Sequence, residues 1–240
     1  MGQQENIMDL EGFERTDGLF SLCGLNCGLC GFRLQGNCDG CFKESFCAAT
    51  CPRAPCSVRH GNMQYCFECP EYPCKHYDGF DGYDTLVLHR NQRKDMQKAK
   101  EIGIEAYLAE QRRKVELLNR LLKGYDDGNN LVFFCSAVNM LSVDDMKSIL
   151  DRADVETAGM TAAERARHVE NMLKAFADEN GIRIRILTPR DRHRLVLIRY
   201  QHTKKNTAIY ATKIATESKG TSPPRETALV SALTWVSGSA

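Results

Sequence analysis

Large aliphatic side chains are scarce between Cys23 and Cys74, where the only ones are Leu25, Leu29, Leu34 and Val58. A segment of this composition cannot bury enough apolar surface to be held together by the hydrophobic effect alone. The same segment contains eleven of the twelve cysteines in the 240-residue chain. Either disulfides or metal ions must therefore stabilise it.

A secretory leader and a membrane-spanning run are both missing from the sequence. The N-terminus has no basic stretch followed by an apolar one, so it does not resemble a signal peptide. No apolar run approaches the roughly 20 residues that span a bilayer. The sequence therefore predicts a cytoplasmic protein with no membrane association. Because cytosolic thiols are kept reduced, the clustered cysteines favour metal ions over a disulfide framework.

Positive charge is in short supply around the cysteines. Residues 1–80 contain 6 Lys and Arg against 10 Asp and Glu, a net charge of −4, although the whole chain carries +1. Backbone-phosphate binding needs clustered positive charge, so the composition argues against a nucleic-acid partner. Aromatic rings such as Phe32 and Phe42 could stack on bases, but they equally fit the small core of a Cys-rich module. The sequence leaves a protein partner open and does not define the oligomeric state.

The spacing of the cysteines is typical of metal knuckles. Three pairs with the spacing C-x2-C begin at Cys27, Cys38 and Cys66. A short turn of this kind directs two thiolates at one ion, and zinc accepts four thiolates tetrahedrally at about 2.3 Å. The sequence therefore predicts closed, structural four-cysteine zinc sites. The candidate metal ligands are the eleven cysteines of the segment: Cys23, Cys27, Cys30, Cys38, Cys41, Cys47, Cys51, Cys56, Cys66, Cys69 and Cys74.

An iron–sulfur cluster is the main alternative cofactor. Cys23-x3-Cys27-x2-Cys30 has the spacing that holds a four-iron cluster in radical S-adenosylmethionine enzymes. Those enzymes need a β/α barrel, and no alternating pattern of strands and helices follows here. The ferredoxin run C-x2-C-x2-C-x3-C-P is also absent. Proline after Cys51 and after Cys69 keeps the cluster alternative open, while ligand type and spacing favour zinc.

The number of ligands raises a further question. Three closed sites need about twelve ligands at four each, one more than the eleven thiols of the segment. His60 and His76 border cysteine pairs and are candidates to complete the set, although a solvated or hydrogen-bonded histidine explains each of them as well. Two sites with several uncoordinated thiols are equally compatible. Cys135 stands apart in an apolar stretch and is predicted to be a small buried hydrophobe.

Helical periodicity dominates the chain after the cysteines. Apolar residues at three- and four-residue spacing predict helices over 104–123 and 131–141. Capping boxes at Ser142 and Thr161 predict the start of two more helices. Alternating apolar residues in 182–187 and 195–199 predict a β-hairpin with a long loop.

The expected fold class is therefore mainly α, with an irregular metal-stabilised Cys-rich module and a small C-terminal β-hairpin (α+β). The predicted divisions are a flexible N-terminus (1–18), the Cys-rich metal-binding module (19–80), a helical domain that ends in the hairpin (81–200) and a disordered tail (201–240).

The sequence does not favour an enzyme. It contains no G-x-S-x-G, P-loop, G-x-G-x-x-G or H-E-x-x-H motif. The paired carboxylates at 126–127 and 144–145 fall in a turn and in the first turn of a predicted helix, where solvation and capping explain them. All-thiolate zinc sites are normally closed and structural. The expected function is therefore that of a zinc-binding module for binding or scaffolding, with iron–sulfur electron transfer as the alternative.

The order of these motifs resembles the bacterial and archaeal family catalogued as domain of unknown function 3795. CGLNCGLC at 23–30, CDGC at 38–41 and YCFECPEYPC at 65–74 follow the family pattern, and FCSAVNML at 134–141 is similar to a segment of its longer members. The resemblance covers about residues 19–190. It implies metal binding, for which zinc has been suggested from the cysteines, and it implies no reaction because the family has no established activity.

Overall fold

The structure is a computed structural model that describes residues 10–85 and 87–187, and these residues are mainly helical. All of the described residues belong to one compact unit. Within these two ranges, no helix is long and apolar enough to cross a membrane. The α-helices are α1 (Gly31–Leu34), α2 (Phe46–Ala49), α3 (Arg53–Arg59), α4 (Gln92–Ile102), α5 (Ile104–Tyr125), α6 (Leu131–Met140), α7 (Val143–Glu156) and α8 (Ala162–Glu179), and short 3-10 helices span Cys27–Leu29, Cys66–Glu68 and Lys75–Tyr77.

The 22-residue helix α5 lies at the centre of the fold, where it packs against α4, α6, α7 and α8. Leu118 and Leu121 of α5 are fully buried in the same core as Phe134 and Val138 of α6 and Leu173 of α8. The apolar stretch 131–141 therefore forms a buried helix, which confirms the prediction from its periodicity. Apolar residues at three- and four-residue spacing lie on one face of a helix, and here that face packs against α5.

Two predicted helix starts are confirmed by their caps. The Thr161 hydroxyl accepts a hydrogen bond from the Glu164 N–H, and the Glu164 carboxylate accepts one from the Thr161 N–H at 2.8 Å, which completes a capping box. The Ser142 hydroxyl accepts from the Asp145 N–H at 3.1 Å at the start of α7. Gly103, with φ of +83°, separates α4 from α5.

The predicted β-hairpin is wrong where the structure describes it, because residues 182–187 form no strand. The Arg90 guanidinium donates to the carbonyl oxygens of Arg183 and Arg185 at 3.0 and 2.7 Å. The Asp84 carboxylate accepts from the Leu187 N–H at 2.8 Å. These side chains take up backbone groups that a partner strand would otherwise pair.

The fold class is therefore helical across residues 10–85 and 87–187, with no strand, instead of α+β. The other half of the predicted hairpin, residues 195–199, and the tail predicted to be disordered, 201–240, lie outside the described residues, as do residues 1–9 and Leu86. Ile184 is 5 % exposed and joins the helical core. The alternation of IRIRIL thus reflects two buried side chains, Ile184 and Leu187, on an unpaired segment that is anchored by polar contacts.

The Cys-rich segment obtains its small apolar core from residues that precede it. Leu10 and Phe13, from the segment predicted to be flexible, are 5 % and 2 % exposed. They share a cluster with Leu22, Ala48 and Ala54. A second cluster joins the segment to α4 and α5 through aromatic residues. Its buried members are Phe20, Tyr65, Met96, Ala99, Tyr107 and Leu108.

Candidate metal centre

The cysteines of the segment are held on short turns between small helices. None of the twelve cysteines forms a disulfide. Gly24 has φ of +88°, a conformation that glycine adopts without strain, and it turns the chain between Cys23 and Leu25. Ser21 fixes this turn, because its hydroxyl lies 3.2 Å from Cys23 Sγ and accepts from the Leu25 N–H at 2.8 Å. The first cysteine motif is therefore positioned by its own polar neighbours.

Four thiols form what we call the first thiol group: Cys27, Cys30, Cys38 and Cys47. Cys47 interacts electrostatically with Cys38 and Cys30, and also with Cys51. Cys27 interacts electrostatically with Cys41 and Cys23 as well as with Cys30 and Cys47, so it stands at the border of this group. The Gly40 N–H donates to Cys38 Sγ at 3.4 Å, which is the backbone-to-sulfur contact that knuckle turns make. This group contains the complete first C-x2-C pair and one member of the second.

The second thiol group consists of Cys23, Cys41, Cys51 and Cys66. Cys23 interacts with Cys51 and Cys41, and Cys66 interacts with Cys23 and Cys51. The Tyr77 hydroxyl donates to the Cys23 carbonyl at 3.4 Å and lies near Cys66. The two groups adjoin each other, because Cys41 interacts with Cys51 and with Cys47 of the first group. Eight thiols therefore lie in one continuous region.

The remaining three cysteines of the segment, Cys56, Cys69 and Cys74, line one small cavity together with His60 and His76. We call it the thiol cavity. Its volume is about 30 Å3. Cys69 Sγ lies 4.0 Å from His60 Nδ1. Cys66 also contributes to the wall of the cavity, so the cavity adjoins the second thiol group.

Two of the three C-x2-C pairs are divided between groups. Cys38 faces Cys47 in the first group, whereas Cys41 faces Cys51 in the second. Cys66 faces the second group, while its pair member Cys69 faces His60 in the thiol cavity. The pair that begins at Cys27 stays in one group, although Cys27 also interacts with Cys41 and Cys23 of the other. Spacing along the chain therefore predicts the candidate ligands without predicting which of them lie together.

Burial keeps these thiols protonated unless a cation compensates their charge. Burial, followed by the neighbouring thiols Cys51 and Cys41, raises the pKa of Cys23 to about 12. Burial likewise raises the pKa of Cys66 to about 12 and that of Cys41 to about 11. A thiolate in this region needs a nearby positive charge, and a bound metal ion supplies one by displacing the proton.

Two buried arginines lie beside the second thiol group. The Arg15 guanidinium stands 4.6 Å from the Tyr65 ring centroid and donates to the Phe20 carbonyl at 2.9 Å. The Arg53 guanidinium stands 3.9 Å from the Phe80 centroid and donates to the His76 carbonyl. Arg15 Nε and Nη1 and Arg53 Nε are buried without a hydrogen-bond partner among the described residues. Such cations would compensate the negative charge of a thiolate cluster. The spacing of residues in the sequence did not predict the role of these two arginines.

A buried polar network connects the first cysteine motif to the helices. Asn26 is 2 % exposed, and its amide donates to Asp95 at 2.9 Å and to Asn139 Oδ1 at 3.3 Å. Its Oδ1 accepts from the Tyr107 hydroxyl at 3.0 Å. Lys114 Nζ donates to the Asn139 carbonyl at 3.2 Å. Asn26 stands inside CGLNC and Asn139 inside FCSAVNML, so the network joins two segments on which the family resemblance depends.

The candidate ligands fit a soft metal ion in their chemistry, because they are thiols with two imidazoles nearby, those of His60 and His76. Among residues 10–85 and 87–187, no group of three or more His, Cys, Asp or Glu side chains is arranged around one point as a metal site. Metal binding therefore requires thiols of each group to rotate inwards. Cys135 is 6 % exposed inside α6, and burial raises the pKa of its thiol to about 12, in keeping with the hydrophobic role predicted for it.

Comparisons with known proteins give no assignment. No protein-family model, no curated protein and no solved structure matches the chain. The resemblance to domain of unknown function 3795 therefore stays a prediction that depends on the cysteine motifs.

Proposed function

We propose that this protein binds zinc through the cysteines of residues 23–74, and that the bound metal replaces the missing apolar core of this segment. One observation supports the proposal above all others. Eleven thiols that are spread over 52 positions come together as the first thiol group, the second thiol group and the thiol cavity, with no disulfide among them. A metal ion bound by each set would explain why so many reduced thiols lie together.

The role of the metal in this proposal is structural. Structural zinc sites contribute about 10–16 kcal/mol of apparent binding free energy in small modules at neutral pH, which compensates for a weak hydrophobic core. All-thiolate sites keep no open position for substrate. The protein is then a metal-organised binding or scaffold module of the reducing cytoplasm, and its partner is another protein. The net charge of −4 in residues 1–80 argues against a nucleic acid as the partner.

An iron–sulfur cluster is a second candidate, and the contact between the first two groups favours it. Cys27 interacts with Cys23 and Cys41 of the second group as well as with its own neighbours Cys30 and Cys47. Thiols that are shared closely between groups suit a polynuclear cluster as well as separate ions. The function would then be electron transfer.

The test is metal analysis of the full chain purified without oxygen. Zinc bound in at least stoichiometric amount, in a colourless preparation, is the expected result. Removal of the zinc by a chelator with a thiol-blocking reagent should abolish the folded signals of residues 23–74 in an NMR spectrum. The variant Cys135→Ala is the matched control, because Cys135 lies in α6 outside the segment, and it should bind as much zinc as the wild type.

A brown preparation that contains iron and absorbs visible light would instead support the iron–sulfur candidate and refute the zinc proposal. A chain that contains neither metal, and whose residues 23–74 stay folded with a chelator present, would refute the proposal in both forms.

A further inference from the structure

The thiol cavity differs in donor chemistry from the other two thiol sets. The first and second thiol groups each contain four cysteines, whereas the thiol cavity has only three that face no other set: Cys56, Cys69 and Cys74. Cys66 stands on its wall but interacts electrostatically with Cys23 and Cys51. A tetrahedral ion in the cavity therefore needs a fourth ligand of another kind.

The size of the cavity limits what can occupy it. Pockets that bind small organic molecules usually enclose about 300–1,000 Å3. The thiol cavity encloses about 30 Å3, which suits one ion. The cavity is therefore too small for an organic ligand, and a single ion held directly by side chains would fit it.

His60 is placed to be the fourth ligand. Cys56 and His60 are four residues apart, and the His60 N–H donates to the Cys56 carbonyl at 3.1 Å, so both side chains leave α3 on one face. His60 Nδ1 lies 4.0 Å from Cys69 Sγ. With zinc–sulfur and zinc–nitrogen distances of about 2.3 and 2.0–2.1 Å, two ligands in a tetrahedral site lie about 3.6 Å apart. A small side-chain movement closes that difference.

His76 is the other histidine on the cavity wall, and its surroundings are unfavourable for a second cation. The positive charges of Arg53, Lys75 and Arg59 lie near its ring. Its backbone carbonyl accepts a hydrogen bond from Arg53, which fixes the chain at this point. A dication bound by this ring would be held against three positive side chains.

We propose that Cys56, His60, Cys69 and Cys74 bind one zinc ion as a Cys3His site, with His60 Nδ1 as the nitrogen ligand. The proposal depends on the zinc-binding function proposed above and assigns one ligand set within it. Each bound cysteine loses its proton to solvent as the zinc–sulfur bond forms, and no redox step occurs. The site then has a net charge of −1, in contrast to −2 for a four-thiolate site.

The test compares His60→Ala with His76→Ala in the full chain, purified without oxygen and loaded with zinc. After dialysis against a chelator that leaves the wild type fully loaded, His60→Ala should retain one zinc ion fewer per chain. The affinity of that site should be at least about tenfold weaker, since even supporting residues around a metal change affinity about 10–100-fold. His76→Ala should retain the wild-type zinc content.

Cobalt substitution provides the readout that identifies the ligand. His60→Cys should restore full metal content and shift the d–d absorption bands of bound Co2+ to longer wavelength, with stronger thiolate charge transfer. Wild-type zinc retention in His60→Ala with an unchanged cobalt spectrum would overturn the ligand assignment while leaving the zinc function intact. Loss of an ion in His76→Ala alone would also overturn it. A wild-type chain without zinc would instead refute the proposed function itself.

Discussion

The buried carboxyl of Asp95 should make the stability of this protein fall as the pH rises from 5 to 8. Burial raises the pKa of Asp95 from 3.8 to about 6, although Lys114 and hydrogen bonds from Tyr107 and Asn26 act in the opposite direction. The folded protein therefore holds a proton that the unfolded chain has already released. Stability from this carboxyl is complete below pH 3.8 and is lost as the pH rises through about 6.

The magnitude follows from the two pKa values. At pH 5 the folded carboxyl is about ten to one protonated, whereas the unfolded carboxyl is almost fully ionised, and this corresponds to a stabilisation of about 1.4 kcal/mol. At pH 8 both states are ionised and the contribution is close to zero. Asp95→Asn cannot titrate, so the free energy of unfolding of the wild type minus that of the variant should fall by about 1.4 kcal/mol between pH 5 and pH 8.

Urea unfolding followed by helical circular dichroism at several pH values, with zinc present throughout, measures this difference. Asp151→Asn is the matched control. Asp151 is exposed, and hydrogen bonds from Lys147 and Arg120 lower its pKa. It is therefore ionised at both ends of the pH range, and its difference curve should stay flat. If the free energy of unfolding of the wild type minus that of Asp95→Asn is also constant, or rises with pH, then the Asp95 carboxyl is not held in its protonated form.

Four further substitutions test the backbone, the packing and a helix cap. Gly24→Ala should lower the free energy of unfolding by about 3 kcal/mol, because φ is +88° and the new Cβ would stand 2.4 Å from Met96 Cγ. Gly36→Ala is the control, since Gly36 also has a positive φ but a Cβ there would have no atom within 4 Å, and it should cost about 1 kcal/mol. Equal losses in the two variants would contradict the predicted overlap with Met96. Thr161→Ala removes the cap of α8 and should cost about 1 kcal/mol in urea unfolding, and an unchanged midpoint would mean that the cap contributes nothing. Cys135→Ala should cost about 1–2 kcal/mol in the same assay, and a loss larger than 4 kcal/mol would be inconsistent with the removal of one small buried side chain.

The helices were predictable from the sequence because their signals are local. The Thr161 and Ser142 caps act within three residues, and the apolar face of 131–141 repeats within a helical turn. The hairpin prediction failed because its outcome depended on distant side chains. Arg90 and Asp84 lie more than ninety positions before the backbone groups that they bind in residues 183–187, and no periodicity reveals such a contact.

The sequence predicted which cysteines belong to the candidate site, but it did not predict which of them lie near one another. Cysteine spacing predicted thiols that the fold brings near one another, but Cys38 and Cys41 interact with different neighbours although they belong to one motif. Asn26 and Arg53 were missed because a single polar residue among cysteines carries no pattern. Their importance depends on burial, which becomes known only when the chain is folded.

The division of the cysteine pairs between sets has a consequence for the metal binding proposed above. Members of the first thiol group, the second thiol group and the thiol cavity alternate along residues 23–74, so the chain passes repeatedly from one set to the next. An ion bound in one set shortens the loops that the neighbouring sets must close, and shorter loops lose less entropy on closure. Loading should then be cooperative. When zinc is limiting, fully loaded and empty chains should coexist, with few molecules in between, and the metal supply would set how many molecules are folded.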